Sequence, residues 1–112
     1  MITTHVLDVA NGQPASGMTV ILEMRHGSEW IAVGRGSTDG NGRLASLTPE
    51  AHPLVVGTYC LTFDTGTYHR SQGIAGPFFP EVKICFNVDQ AGTHFHVPLL
   101  LSPYGYSTYR GS

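Results

Sequence analysis

His94 and His96 are the first residues of this sequence that invite chemistry, because they stand two apart in Thr93-His94-Phe95-His96-Val97, a stretch with the composition of a β-strand. Strand side chains alternate between faces, so both imidazoles project to one side while Phe95 and Val97 project to the other. Three readings fit that arrangement. The ordinary one is a solvated strand surface, where histidine is common. A second is a His-x-His metal pair, for which His5 is the one further candidate ligand, although no spacing brings it near. The third is acid/base catalysis, since neutral imidazole takes a proton from water near pH 7 and returns it to a leaving nitrogen.

Chemistry at a carbonyl also needs a group that stabilises developing negative charge. Arg43 follows directly on Asp39-Gly40-Asn41-Gly42, the strongest turn signal in the chain, because Gly and Asn accept positive φ with little steric cost. A guanidinium held there donates hydrogen bonds to an oxyanion and, unlike an ammonium, stays charged when desolvated. The last four residues, Tyr109-Arg110-Gly111-Ser112, set a phenol, a guanidinium, a hydroxyl and the carboxylate together. Chain ends are usually loose, so this tail acquires a role only if it is tied into a sheet or interface. Spacing alone does not make His5, Arg43 and His96 converge. Each has an ordinary alternative: an N-terminal histidine, a turn arginine, a strand histidine.

The elements that must position these residues are short strands. Fourteen glycines and seven prolines punctuate segments rich in Val, Ile, Thr, Tyr and Phe, and no stretch sustains helical periodicity for three turns. That pattern predicts an all-β sandwich. Residues 18–24 read as a strand, 26–28 as a turn and 30–35 as the hairpin partner, followed by alternating strands at 57–64, 80–88 and 93–101. Pro98 predicts that the last of these lies at an edge or an irregularity, because proline cannot donate to a ladder. The tail from Tyr104 to Tyr109 alternates again, and one short helix is expected from Thr67 to Gln72, before Gly73.

Totals narrow the function. A chain of 112 residues supports one domain, 1–112, with a thin core, so association of copies is an expected source of stability. Only 12% of residues are charged against roughly 25% in typical soluble domains, which suits surface hidden in an assembly. A formal net charge of -2 without a Lys/Arg cluster argues against nucleic acid as a partner, and apolar runs such as Val97 to Leu101 are too short to span a bilayer. Cys60 and Cys85 lack Cys-x-x-Cys spacing and are expected to be buried free thiols. Met1 leads into Ile2-Thr3-Thr4-His5 without a basic start or apolar signal core, so a cytoplasmic chain is expected, with a processed periplasmic form as the alternative.

Four segments in combination, Thr3-Thr4-His5-Val6-Leu7-Asp8, Thr38 to Arg43, His94 to Tyr104 and Tyr109-Arg110-Gly111-Ser112, resemble the signatures of 5-hydroxyisourate hydrolases in the transthyretin-like family. The resemblance runs from the third residue to the last. Transthyretin itself shares the Leu-Ser-Pro-Tyr-x-Tyr-Ser-Thr segment but not the His, Arg, His and Tyr-Arg-Gly-Ser positions. The resemblance implies a two-sheet β-sandwich with one short helix, assembled as a homotetramer, a dimer of dimers, with sites in the channel between dimers. It implies hydrolysis of the N1–C6 amide bond of 5-hydroxyisourate to 2-oxo-4-hydroxy-4-carboxy-5-ureidoimidazoline in urate degradation, without metal or organic cofactor. Carried over by motif, His5 and His96 are the acid/base histidines and Arg43 is the catalytic, substrate-binding arginine. Tyr109 and Ser112 line the site, and His94 supports His96 or touches substrate. The alternative is a transthyretin-like carrier that binds a small ligand without turnover.

Overall fold

A computed structural model describes residues 1–49 and 54–112 and resolves them into two facing sheets and one helix. At the centre of the first sheet, β1 (Ile2–Asp8) runs parallel to β8 (Phe95–Ser102), which pairs antiparallel with β9 (Gly105–Thr108). Two dipeptide strands, β2 (Gln13–Pro14) and β5 (Arg43–Leu44), pair antiparallel with successive parts of β1. The second sheet is fully antiparallel, in the order β4 (Glu29–Ser37), β3 (Thr19–His26), β6 (Gly57–Phe63), β7 (Val82–Val88).

Period-two alternation builds the core between the sheets. Ile2 and Val6 of β1 and Phe95, Val97, Leu99 and Leu101 of β8 are buried against Val20, Leu22, Leu61, Phe63 and Val82 of the second sheet. The intervening residues, Thr3, His5 and Leu7 on β1 with His96, Pro98 and Leu100 on β8, therefore occupy the opposite, outer face of the first sheet. The fold is the expected all-β sandwich with one short helix.

The strand that carries Pro98 is interior, paired with β1 on one side and β9 on the other, and Pro98 lies at the expected irregularity, where the β9 ladder breaks between Thr108 and the isolated His96–Gly111 bridge. Proline is tolerated because the Pro98 carbonyl faces the β9 side, where it accepts a 2.7 Å bond from the Thr108 hydroxyl. The position that lacks an N–H thus points where the continuous β9 ladder has ended, at Thr108. One cysteine differs from expectation: Cys60 is buried, but Cys85 is exposed.

The helix α1 spans Thr65–Ser71 rather than Thr67–Gln72 and takes the earlier of the two polar starts, Thr65 over Thr67, because the Asp64 carboxylate caps it by accepting from the Thr67 N–H at 3.2 Å. It is tied to β1 through a buried polar knot. The Tyr68 hydroxyl donates to Asp8 Oδ2 at 2.7 Å, and the Asn11 backbone and side chain donate to the same carboxylate at 3.0 and 2.8 Å. Burial alone would raise the Asp8 carboxyl, but these donors outweigh it and hold it below its ordinary range. Among the described residues, no helix is long and apolar enough to cross a membrane.

Candidate functional site

The outer face of the first sheet gathers the residues that the sequence singled out. In the parallel β1–β8 ladder Thr3 lies opposite His96 and His5 opposite Pro98, while in the short β1–β5 pair His5 lies opposite Arg43. Directly opposed residues share a face, so His5 stands between the turn that carries Arg43 and the strand that carries His96.

The turn is fixed to β1 before it presents Arg43. Asp39 Oδ1 accepts from the N–H groups of Asn41 at 2.8 Å and Arg43 at 3.0 Å, and those two donations hold its carboxyl below the ordinary range. Gly42 has φ of +75°, and its carbonyl accepts from the Val6 N–H at 2.8 Å. A Cβ there would meet the Val6 carbonyl oxygen at 2.4 Å, so glycine is required twice over, for conformation and for close approach. The same docking brings the Asn41 carbonyl to 2.9 Å from His5 Nε2. A carbonyl oxygen only accepts, so neutral His5 carries its proton on Nε2 and keeps the lone pair on Nδ1.

His94 and His96 stand side by side, with ring centroids 6.2 Å apart. Between them is a residue that sequence reading passed over. Thr3 Oγ1 lies 2.7 Å from His94 Nε2 and 2.8 Å from His96 Nδ1. A hydroxyl has one proton, so it donates to one ring while accepting from the other, and the two tautomers are linked. When His96 donates from Nδ1, its Nε2 is a proton acceptor. When the hydroxyl reverses, His96 Nε2 becomes a donor. The only sequence signal for this role was that Thr3 precedes His5 by two positions on one strand, which puts both on the same face.

Burial pulls the His96 imidazole below its ordinary value of 6.5, reinforced by the positive field of Arg43 and by His94 and His5. His96 is therefore neutral near pH 7, the form needed to accept a proton. His94 and Arg43 are exposed, and His5 and His96 are half-buried. Among the described residues, no cluster of three or more His, Cys, Asp or Glu side chains is arranged to hold a metal ion.

The chain end is tied to this face. Gly111 donates its N–H to the His96 carbonyl at 2.8 Å and continues the β8–β9 register after a two-residue gap. The Arg110 guanidinium sits 4.5 Å from the centroid of the Phe95 ring, on the core side of β8. The register carries Tyr109 across from Pro98, yet its side chain is 58% exposed, and Ser112 is exposed as well. Within the chain, among the described residues, neither hydroxyl is hydrogen-bonded to His5, Arg43 or His96. Tyr109 also borders an apolar cavity of about 210 Å³ shared with Ile84, Phe86, Phe95 and Val97, at the open side of the sandwich.

A two-sheet sandwich whose outer face gathers histidines and an arginine is a β-sandwich of the transthyretin type with groups suited to proton transfer. The sequence model of the HIUase/Transthyretin family matches residues 2–111, and the chain belongs to that family. It is 43% identical over 112 residues to the 5-hydroxyisourate hydrolase of Salmonella typhimurium, covering 100% of this chain and 81% of that protein. The solved 5-hydroxyisourate hydrolase of Klebsiella pneumoniae superposes with a TM-score of 0.83 at 40% identity, covering 99% of this chain and 98% of that one. Sea bream transthyretin in complex with thyroxine superposes with a TM-score of 0.89 at 28% identity, covering 98% and 93%. The backbone is thus common to a 5-hydroxyisourate hydrolase and to transthyretin.

Proposed function

We propose that this chain hydrolyses 5-hydroxyisourate, an oxidised purine, by opening its cyclic amide with water in urate degradation. The observation that carries the reading is the convergence on one sheet face of His5 opposite Arg43 and of His96 linked through Thr3 to His94. The identities of 43% and 40% to two 5-hydroxyisourate hydrolases support the same substrate.

The residues divide the work as follows. Water loses a proton to the His96 Nε2 lone pair as it attacks the ring carbonyl at C6. Arg43 donates to the carbonyl oxygen as it becomes an oxyanion, a stabilisation gained mainly in the transition state. While His96 is an imidazolium, its Nδ1–H is held by Thr3, whose own proton goes to His94. The tetrahedral intermediate then expels N1, which takes the proton back from His96 Nε2, and the C6–N1 bond breaks. His5 presents Nδ1 as the second acid/base group, so the apparent pKa values belong to a coupled pair. Tyr109 and Ser112 complete the substrate pocket.

The exposure of this face in a single chain, with half-buried Leu7 and Leu100 flanking the histidines, supports a homotetramer, a dimer of dimers, in which a facing copy closes the pocket. Light scattering is expected to give four times the chain mass.

The test follows the ultraviolet decay of 5-hydroxyisourate, made in place by urate oxidase, with and without this protein. A protein-dependent rate above spontaneous decay, abolished by His96→Ala, is expected. No acceleration by a folded tetramer would move the chain to the carrier reading.

A further inference from the structure

On the other sheet of the sandwich, Cys60 of β6 and Cys85 of β7 are direct cross-strand partners. Opposed antiparallel residues have Cα atoms about 4.5 or 5.5 Å apart, depending on the type of pair, and both distances fall inside the range of about 4.4 to 6.8 Å that disulfides bridge. Core-facing Tyr59, Leu61 and Phe63 alternate with Cys60, so both thiols stand on the outer face of this sheet. They differ in access: Cys85 is exposed, whereas Cys60 is only 4% exposed.

We propose that Cys60 and Cys85 form a reversible cross-strand disulfide when the protein meets hydrogen peroxide, with Cys85 as the attacking thiol and Cys60 as the resolving one. In the first step the Cys85 thiolate attacks one peroxide oxygen. The O–O bond breaks, hydroxide leaves, and Cys85 becomes a sulfenic acid. In the second step the Cys60 sulfur attacks the Cys85 sulfur, forming S–S and expelling the sulfenic oxygen as water, with the Cys60 proton passing to it. Overall two thiols lose two electrons and two protons, and one peroxide becomes two waters.

The order of steps follows from the environments. Burial first, and then the neighbouring Cys85, push the Cys60 thiol up to about 11, so it stays protonated and unreactive until a sulfenic acid forms beside it. Directly opposed Cβ atoms lie about 4.5 to 5.5 Å apart, and a disulfide draws them to about 3.8 Å, so β7 must close by roughly 1 Å. Among the described residues of one chain β7 is an edge strand paired with β6, and a shift of that size is small enough for it to take up. The strain that remains makes the bond easy to reduce.

The experiment exposes the native protein to one equivalent of hydrogen peroxide and maps it by mass spectrometry without reduction. The expected result is an intact mass lower by two hydrogens, a cross-linked peptide pair containing Cys60 and Cys85, and full recovery of both thiols with dithiothreitol. Cys85→Ser should leave Cys60 unoxidised at the same dose, and Cys60→Ser should leave a Cys85 sulfenic acid that dimedone captures. A Cys85 that gains two or three oxygens while Cys60 stays free, or chains linked to each other through Cys85, would overturn the proposal. The peptide map of the native protein decides it even if a variant fails to fold.

Discussion

Thr3 Oγ1 lies 2.8 Å from Nδ1 of His96 and, through that contact, couples the tautomer of His96 to the direction of its own hydroxyl. The residues are 93 apart in sequence and opposite each other in the parallel ladder. Removing the hydroxyl while keeping the side-chain shape isolates this role. Thr3→Val is expected to lower kcat roughly 10- to 100-fold with little change in KM, because a mis-set imidazole still binds but transfers protons poorly. Thr3→Ser should restore most of the loss. An equal deficit in both variants would assign Thr3 to packing instead.

The depressed titration of His96 makes a signed forecast for activity. If neutral His96 is the base, the acid limb of the kcat/KM profile falls below pH 6.5, so turnover persists into mildly acidic buffer. The same shift makes one for stability. A group with a lowered folded pKa contributes stability that is present above its unfolded value and is lost as pH falls through the folded one. Unfolding free energy of the native protein should therefore drop on acidification below pH 6.5 more steeply than that of His96→Gln. An NMR titration that places His96 at or above 6.5 would contradict both statements.

Sequence carried part of this site and left the rest to the fold, for identifiable reasons. His94 and His96 share a face because strand periodicity is local, and the Asp39 to Gly42 turn was legible from residue types alone. The pairing of His5 with Arg43 rests on a two-residue strand, too short to leave any periodic signal. Thr3 became visible only once residues some ninety positions apart lay side by side. Pro98 marked an irregularity, the break in the β9 ladder, but could not show that its strand is interior, because proline only requires that no donor be needed at its own position. Cys85 misled because an apolar run implied burial, whereas its alternate residues face outward.

Arg43 offers a test that separates catalysis from folding. Its backbone is held by Asp39 and its side chain is exposed, so Arg43→Gln removes the charge without opening a cavity. Stability should change by no more than about 0.5 kcal/mol. Loss of oxyanion stabilisation should lower kcat about 100- to 1,000-fold. A variant that folds normally and turns over at the native rate would remove Arg43 from the mechanism.

The link between α1 and β1 can be read as stability alone. Tyr68 donates to the ionised, buried Asp8, and hydrogen bonds to charged groups contribute about 1.5 to 3 kcal/mol. Tyr68→Phe should lose that amount near pH 7 in denaturant titrations. Asp8 is held below its ordinary value, so its contribution is present above the unfolded carboxylate pKa and disappears as pH falls through the folded one. The gap between native and variant should accordingly narrow in acid, and a gap independent of pH would point to lost packing.

Gly111 tests whether the tail belongs to the site. Its N–H is bonded to the His96 carbonyl, and a Cβ at that position would lie 2.6 Å from His96 Cδ2 and 3.4 Å from Pro98 Cγ. Neither neighbour can yield freely: the His96 ring is bonded to Thr3 at its other edge, and Pro98 is rigid and buried. In Gly111→Ala either the imidazole turns or the tail lifts from β8, which also moves Tyr109 and Ser112. Both outcomes predict a fall in kcat of about 100-fold, the scale of a displacement near 1 Å at a reacting group, with the thermal midpoint almost unchanged because the tail is exposed. Deleting residues 109–112 should give a similar loss without unfolding. The His96 ring signals distinguish the two routes: they shift in Gly111→Ala if the imidazole turns, and they resemble those of the deletion if the tail lifts. Native turnover in both proteins would return the chain end to an ordinary surface role.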